Sequence, residues 1–548
     1  MIRYWLAGLA LLTPSLAAAM PPAGMHPIAS DPVRTGNGAV AGTRLPSGVR
    51  AYLGIPFAAP PVGRLRWAPP QPISWNGIWN ADRKGPECIQ VLRPHNINHY
   101  FGEEPTSEDC LYLNLWAPAS ASSRSRLPVV VFLYGGGFTI GSSGMANYDG
   151  EQMARAGAIF VNFNYRVGAM GFMAHPQLSR EQGGHSGNYG LMDQNAALRW
   201  VQANIARFGG DPDKVLIIGQ SAGAASVAAH IFSPMSRNLF RAAAMMSGCN
   251  YTSDGPSLDQ AERIGLQVQE RLGAHSIEEL RDIPADRILA IQSENQVGAR
   301  VEGIRINGPI IDGYFLTRPK LSLLRAGEVA RVPIIASYTT DDIDIAMNPI
   351  AAATTAGQFR SIARTLYGDD ADAFLSLYPV GSDADTPRVA REAARTAGFE
   401  SSARYCAVAQ QQLGAPAYLI QFDRKHPYVP GVRIADQNIA TVGAYHTSDI
   451  PYWLGTLDQY NLLRPTRDWT GWDRQLSAAM MNFLISFAGT GRPRAAGFDW
   501  PAWSPDAERK LVVGDQASVA SLNRARMEWH AGHRLATPFD SRPSRPRD

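Results

Sequence analysis

Three short runs built from β-branched, aromatic and other apolar residues limit the folds open to this chain. They are Val129–Tyr134 (VVVFLY), Ile159–Phe163 (IFVNF) and Lys214–Gly219 (KVLIIG). Runs that are apolar on both alternating faces suit strands covered on both sides. Between the second and third, Leu191–Phe208 sets Leu198, Val201, Ile205 and Phe208 three or four apart, which is one face of a helix. Asp211-Pro212 is expected to close that helix before the next strand. Ala242–Met246, Val332–Tyr338 and Ala417–Phe422 read as further strands. Strand and helix alternating in this way imply the α/β class, with a large, mostly parallel central sheet and helices on both faces. The first hundred residues, rich in Pro, Gly and Trp, read as loops and small hairpins packed around it.

Composition agrees. Of 548 residues 45% are hydrophobic and 18% charged, enough for a large core and unlike a collagen, a coiled coil or a disordered chain. No linker-like stretch divides the middle, so residues 20–536 are read as one domain. Lys+Arg number 51 against 48 Asp+Glu, a net charge of +3, and the Arg residues form no dense stripe that would track a phosphate backbone. Nucleic acid is therefore not an expected partner. Residues 1–19 differ from the rest: Arg3, the apolar run Trp5–Leu12 and then Ala17-Ala18-Ala19 make a signal peptide, implying export to a periplasm or beyond. The run is too short to span a bilayer, and no later segment is long and apolar enough to do so. Thr537–Asp548, rich in Pro and Arg, reads as a loose tail. Nothing in the sequence fixes the oligomeric state. An exported chain can form disulfides, and its four cysteines (Cys88, Cys110, Cys249, Cys406) allow three complete pairings. The spaced Cys and His patterns of a zinc site do not occur, so no metal is expected.

Gly219-Gln220-Ser221-Ala222-Gly223 follows an expected strand and opens the Ala-rich segment 222–231, which reads as a helix. A Ser at so sharp a turn needs small residues two before and two after it. The turn lifts the hydroxyl clear of the sheet, above the positive end of a helix. The structural alternative is a Gly-rich turn whose Ser caps that helix. Acyl transfer also needs backbone N–H groups aimed at the developing oxyanion. Tyr134-Gly135-Gly136-Gly137-Phe138, directly after an earlier strand, supplies a loop that can approach a ligand closely.

These two motifs, with Ser107-Glu108-Asp109-Cys110-Leu111-Tyr112-Leu113-Asn114-Leu115, resemble the type-B carboxylesterases. That family includes cholinesterases, bacterial para-nitrobenzyl esterases and non-catalytic adhesion relatives. The similarity runs from Ala51 (AYLGIPFAAPPVGRLRW) through Asn164-Tyr165-Arg166-Val167-Gly168 and Gly187-Asn188-Tyr189-Gly190 to Gly489-Thr490-Gly491-Arg492-Pro493. The resemblance implies one α/β-hydrolase domain, no cofactor and a small-molecule ester as substrate. It implies an oxyanion hole from the N–H groups of Gly136, Gly137 and Ala222, a Cys88–Cys110 disulfide, and a structural Arg66–Glu108 ion pair beside it. Cys249 and Cys406 have no clear family partners and are expected to be buried free thiols.

The base of such a site lies late in the chain. Gly443-Ala444-Tyr445-His446-Thr447-Ser448-Asp449-Ile450-Pro451-Tyr452 is similar to the family's catalytic-histidine segment, which assigns His446. His426 reads as a solvated surface residue in a charged turn, and His530 and His533 as bland residues near the tail. The family's acid is a Glu in a V-P-x-x-x-x-x-x-x-D-E-G segment. Val332-Pro333 onward to Asp341-Asp342-Ile343 places Asp342 there, one CH₂ shorter and without the following Gly, with Asp341 and Asp344 as alternatives. Gln220 stands where many members carry Glu. No Trp lies between Cys88 and Cys110, only Tyr100 and Phe101 as possible cation-attracting rings. Both departures weaken attraction for a cation, so neutral esters are expected to be preferred to choline esters. The alternatives are a non-catalytic adhesion protein on the same fold and an acyltransferase using the same acyl-enzyme.

Overall fold

A computed structural model describes residues 25–533 apart from 93–97, 99–104, 293, 297, 298, 302 and 307. The expected signal peptide, the expected tail, Tyr100 and Phe101 lie outside the described residues. Twelve strands form the central sheet: β1 (His26–Pro27), β2 (Thr43–Arg44), β3 (Arg50–Pro56), β4 (Tyr112–Ala117), β5 (Leu127–Leu133), β6 (Ile159–Phe163), β7 (Gly210–Gln220), β8 (Ala242–Met246), β9 (Ile334–Thr339), β10 (Ala417–Phe422), β11 (Arg509–Val513) and β12 (Ala517–Ser521). Their order is β1-β2-β3-β4-β6-β5-β7-β8-β9-β10-β11-β12. The seven strands from β6 to β11 are mutually parallel, and the antiparallel pairings fall at the two ends.

Val129–Leu133, Ile159–Phe163 and Val215–Ile218 are fully buried, as expected of strands covered by helices on both faces. The helices include α1 (Tyr189–Asn204), α2 (Ala222–Phe232), α3 (Leu258–Leu272), α4 (Lys320–Ala326), α5 (Ser401–Gln412) and α6 (Gly471–Thr490), of which α1, α2, α5 and α6 pack against the sheet. Three boundaries differ from expectation. The α1 helix gives way to a 3₁₀ turn at Ile205–Phe208. Asp211-Pro212 falls inside β7 rather than before it, where the Asp211 carboxylate is held by Arg126 and Lys214. The N-terminal hundred residues also contribute a fully buried strand, β3, to the main sheet.

Cys88 and Cys110 are bonded, with Cα atoms 5.0 Å apart. Arg66 holds Glu108 through two hydrogen bonds of 2.7 and 2.5 Å, beside that bridge. The expectation of free thiols at Cys249 and Cys406 is corrected. They form a second disulfide, closing 157 residues, because α5 brings Cys406 against the loop that leaves β8. His426 is corrected too: it is buried, with Nε2 2.8 Å from the Ser448 carbonyl and Nδ1 3.0 Å from the Tyr445 hydroxyl, enclosed by Tyr452 and Trp469. The charged turn that suggested solvent exposure folds back under the segment carrying His446. His530 is also buried, bonded to the Tyr378 hydroxyl at 2.9 Å.

Candidate active site

The site collects at the carboxyl ends of the parallel strands, where open α/β sheets place their ligands. Ser221 follows β7 with φ 58° and ψ −122°, a conformation rare for a residue with a side chain. The backbone is fixed there by its N–H, which donates to the Met246 carbonyl at 2.8 Å, and by α2 starting at the next residue. The elbow leaves no room for larger neighbours: a Cβ on Gly223 would lie 2.0 Å from the Leu133 carbonyl oxygen, and one on Gly219 2.3 Å from that of Gly223. The Ser221 side chain makes no capping hydrogen bond to α2, unlike the helix-capping alternative.

Gly136, Gly137 and Phe138 follow β5 with φ of 118°, 62° and 61°. This left-handed stretch turns the chain beside Ser221. Gly137 and Ala222 lie with Ser221 on the wall of one cavity of about 620 Å³. Ala222 is the first residue of α2, so its N–H has no acceptor within the helix. Gly136 is one step back, and its carbonyl accepts from the N–H groups of Thr139 and Ile140.

The loop after β9 separates the two adjacent carboxylates. Asp342 turns inward, and its Oδ1 is 2.5 Å from Nδ1 of His446. Asp341 turns outward to Arg391, while its N–H donates to the Ala444 carbonyl at 2.9 Å and so ties this loop to the histidine segment. Asp344 lies on the short helix Ile343–Met347, its side chain outside the described residues. Asp342 is almost wholly buried, which by itself would push its carboxyl up. The charge and hydrogen bond of His446, with hydrogen bonds from Ser247 and the Thr339 N–H, outweigh burial and hold it below the usual carboxylate range. An ionised Asp342 accepts a hydrogen bond from Nδ1–H, which keeps the proton on that nitrogen and leaves the lone pair on Nε2. Phe399, on the cavity wall, stacks on the imidazole with planes 12° apart.

Ser221 and His446 are brought to the same end of the sheet, and Nε2 of the imidazole is 3.2 Å from Nε2 of Gln220, the residue before the serine. In this arrangement the Gln220 amide, itself buried, donates to the histidine lone pair. Two further residues bear on the site and escaped the sequence reading. Ser247, directly after β8, donates from Oγ to Asp342 Oδ2 at 2.5 Å. Its place just past a strand's carboxyl end, like that of Ser221, was the available signal. Asp449 is buried three residues after His446, accepting from Trp453 Nε1 at 3.1 Å. Burial, and then the negative charge of Asp342, push its carboxyl up to about 7. No cluster of potential metal ligands occurs among the described residues.

Comparison with known proteins identifies the family. Residues 29–529 match the model of the carboxylesterase family. The chain is 35% identical to fumonisin B1 esterase of Sphingopyxis macrogoltabida, over 86% of this chain and 85% of that protein. It is 32% identical to acylcarnitine hydrolase of Mus musculus, over 88% and 86% respectively. It is 30% identical to para-nitrobenzyl esterase of Bacillus subtilis (strain 168), over 89% and 95%. A solved structure of a PNB esterase superimposes with a TM-score of 0.73 at 29% identity, covering 91% of this chain and 98% of that one. The chain therefore belongs to the carboxylesterase family and is a carboxylic ester hydrolase of the α/β-hydrolase fold.

Proposed function

We propose that this hydrolase works through an acyl-enzyme on Ser221, with His446 as general base and acid and Asp342 as its orienting carboxylate. The observation that carries the reading is the 2.5 Å contact between His446 Nδ1 and Asp342 Oδ1. It fixes one tautomer and points the lone pair of Nε2 toward the elbow. When an ester is seated, the Gln220 amide yields its place at Nε2 to the Ser221 hydroxyl. His446 takes that proton as Oγ attacks the carbonyl. The N–H groups of Gly137 and Ala222, with that of Gly136, hold the oxyanion. The alcohol leaves with the proton from His446, and water then attacks the acyl-enzyme by the same route in reverse. Asp342 stabilises the imidazolium in both halves.

Neutral esters are preferred to choline esters, because Gln220 puts a neutral amide beside the imidazole. Export is supported by the N-terminal segment and by the two disulfides. No described helix is long and apolar enough to cross a membrane. Asp342→Asn compared with Asp341→Asn, on a para-nitrophenyl ester, tests the assignment. The first is expected to lose about 10³–10⁴ in kcat by placing the wrong tautomer at Nε2, and the second to stay within a few-fold of the parent. Loss in the Asp341 variant alone would overturn it.

A further inference from the structure

The cavity that Ser221 opens into has an uneven charge. Its described lining includes the cationic residues Arg263, Arg305, Arg318 and Lys320, and one carboxylate, Asp254. Arg318 also holds Glu328, at 2.5 Å. With Glu328, the described residues set four cationic side chains against two carboxylates. The cations come from three separate pieces of chain. Arg263 is on α3, in a stripe with Gln260, Ile264 and Gln267 that turns one helical face to the cavity. Its acidic neighbour Glu262 points elsewhere, accepting from Ser179 Oγ. Lys320 opens α4, with its N–H donating to Asp254 Oδ1 at 2.9 Å and its Nζ to the Ser253 carbonyl at 2.6 Å. Arg305 lies on the segment between them. The apolar lining includes Phe138, directly after the glycine triplet, Phe172 packed against it at 5.2 Å, and Phe399 beside the imidazole. The cavity thus joins an apolar wall beside the elbow and the histidine to cations carried by other elements, α3 and the segment that leads into α4.

We propose that the preferred substrate is an ester bearing a carboxylate several bonds from the scissile carbonyl, drawn in and held by this cationic wall. The inference rests on the esterase reading above and names the substrate class of the same site. A low-dielectric cleft lined by one sign of charge raises the local concentration of ligands of the opposite sign. The effect is screened by salt, since the Arg side chains reach solvent.

The test compares initial rates on matched pairs: monoethyl suberate against ethyl octanoate, with the carboxylate on the acyl side, and 6-acetoxyhexanoate against hexyl acetate, with it on the alcohol side. In at least one pair the anionic ester is expected to have the higher kcat/KM, with the advantage shrinking as NaCl rises. Arg263→Glu/Arg305→Glu should lower kcat/KM for that anionic ester about tenfold, as attraction at two partly screened sites becomes repulsion, and change its neutral partner less than twofold. Equal loss on anionic and neutral esters, or no advantage for the anionic ester in either pair, overturns the proposal. The neutral esters report on the esterase reading alone. If they are not cleaved, or are cleaved equally by Ser221→Ala, that reading fails, whatever the charged pairs show.

Discussion

Replacing Gln220 with Glu tests how the neighbour of the nucleophile tunes the base. In the parent, the amide nitrogen of Gln220 is 3.2 Å from His446 Nε2. The variant puts a carboxylate oxygen there. With the imidazolium charge spread over the ring, the two charges are about 4 Å apart, worth about 4 kcal/mol at an effective dielectric of 20. The position is buried, and Asp342 already places one carboxylate against the ring, so desolvation and like-charge repulsion return part of it. A net stabilisation of the imidazolium by about 1–3 kcal/mol is expected. Only the neutral imidazole can accept the Ser221 proton, so stabilising the imidazolium moves the acid limb of the kcat/KM profile upward. The assay is the pH profile of para-nitrophenyl butyrate hydrolysis from pH 5 to 9. Gln220→Glu should lose about tenfold or more at pH 6 and approach the parent at the alkaline plateau. An acid limb that stays in place, or moves downward, would refute the placement of residue 220 beside the catalytic nitrogen.

Two further perturbations address the scaffold. The Asp449 carboxyl is pushed up to about 7 from 3.8, so the folded state prefers the protonated form; its contribution is full below pH 4 and is lost as pH rises through 7. Asp449→Asn, which keeps an acceptor for Trp453, should remove a pH-dependent loss of at most about 4 kcal/mol, read as a smaller fall in Tm between pH 5 and 8 than in the parent. Cys249→Ser/Cys406→Ser releases a 157-residue loop, for which chain entropy predicts a cost of about 4–5 kcal/mol. A clear drop in Tm, with a raised KM because the 247–250 segment lines the cavity, is the expected result in activity and thermal-melt assays.

What the sequence reveals is set by how local the cause is. The strands from Leu127 to Phe422 are legible because a strand apolar on both faces leaves a contiguous signature. The elbow at Ser221 and the triplet at Gly135 are legible because their steric demands fall on residues next to one another. Asp341 and Asp342 illustrate the limit. Both carboxylates sit on one loop, and only the pairing of Asp341 with the Tyr445 segment decides which faces the imidazole. The bond between Cys249 and Cys406 depends on α5 docking beside the loop after β8, which no spacing encodes. The burial of His426 is not legible in sequence, because a charged turn signals solvent only when nothing folds over it. The cationic wall is spread over residues 263 to 320, so net charge alone, at +3, concealed it.

The second disulfide also divides the three proposed catalytic residues topologically. Asp342 lies inside the covalent ring closed by Cys249 and Cys406, whereas Ser221 precedes it and His446 follows it. A protease that cut any one peptide bond within the ring would leave two chains still joined through sulfur. Such a nicked molecule would migrate as a single species until a thiol was added, and could remain active with its backbone already broken.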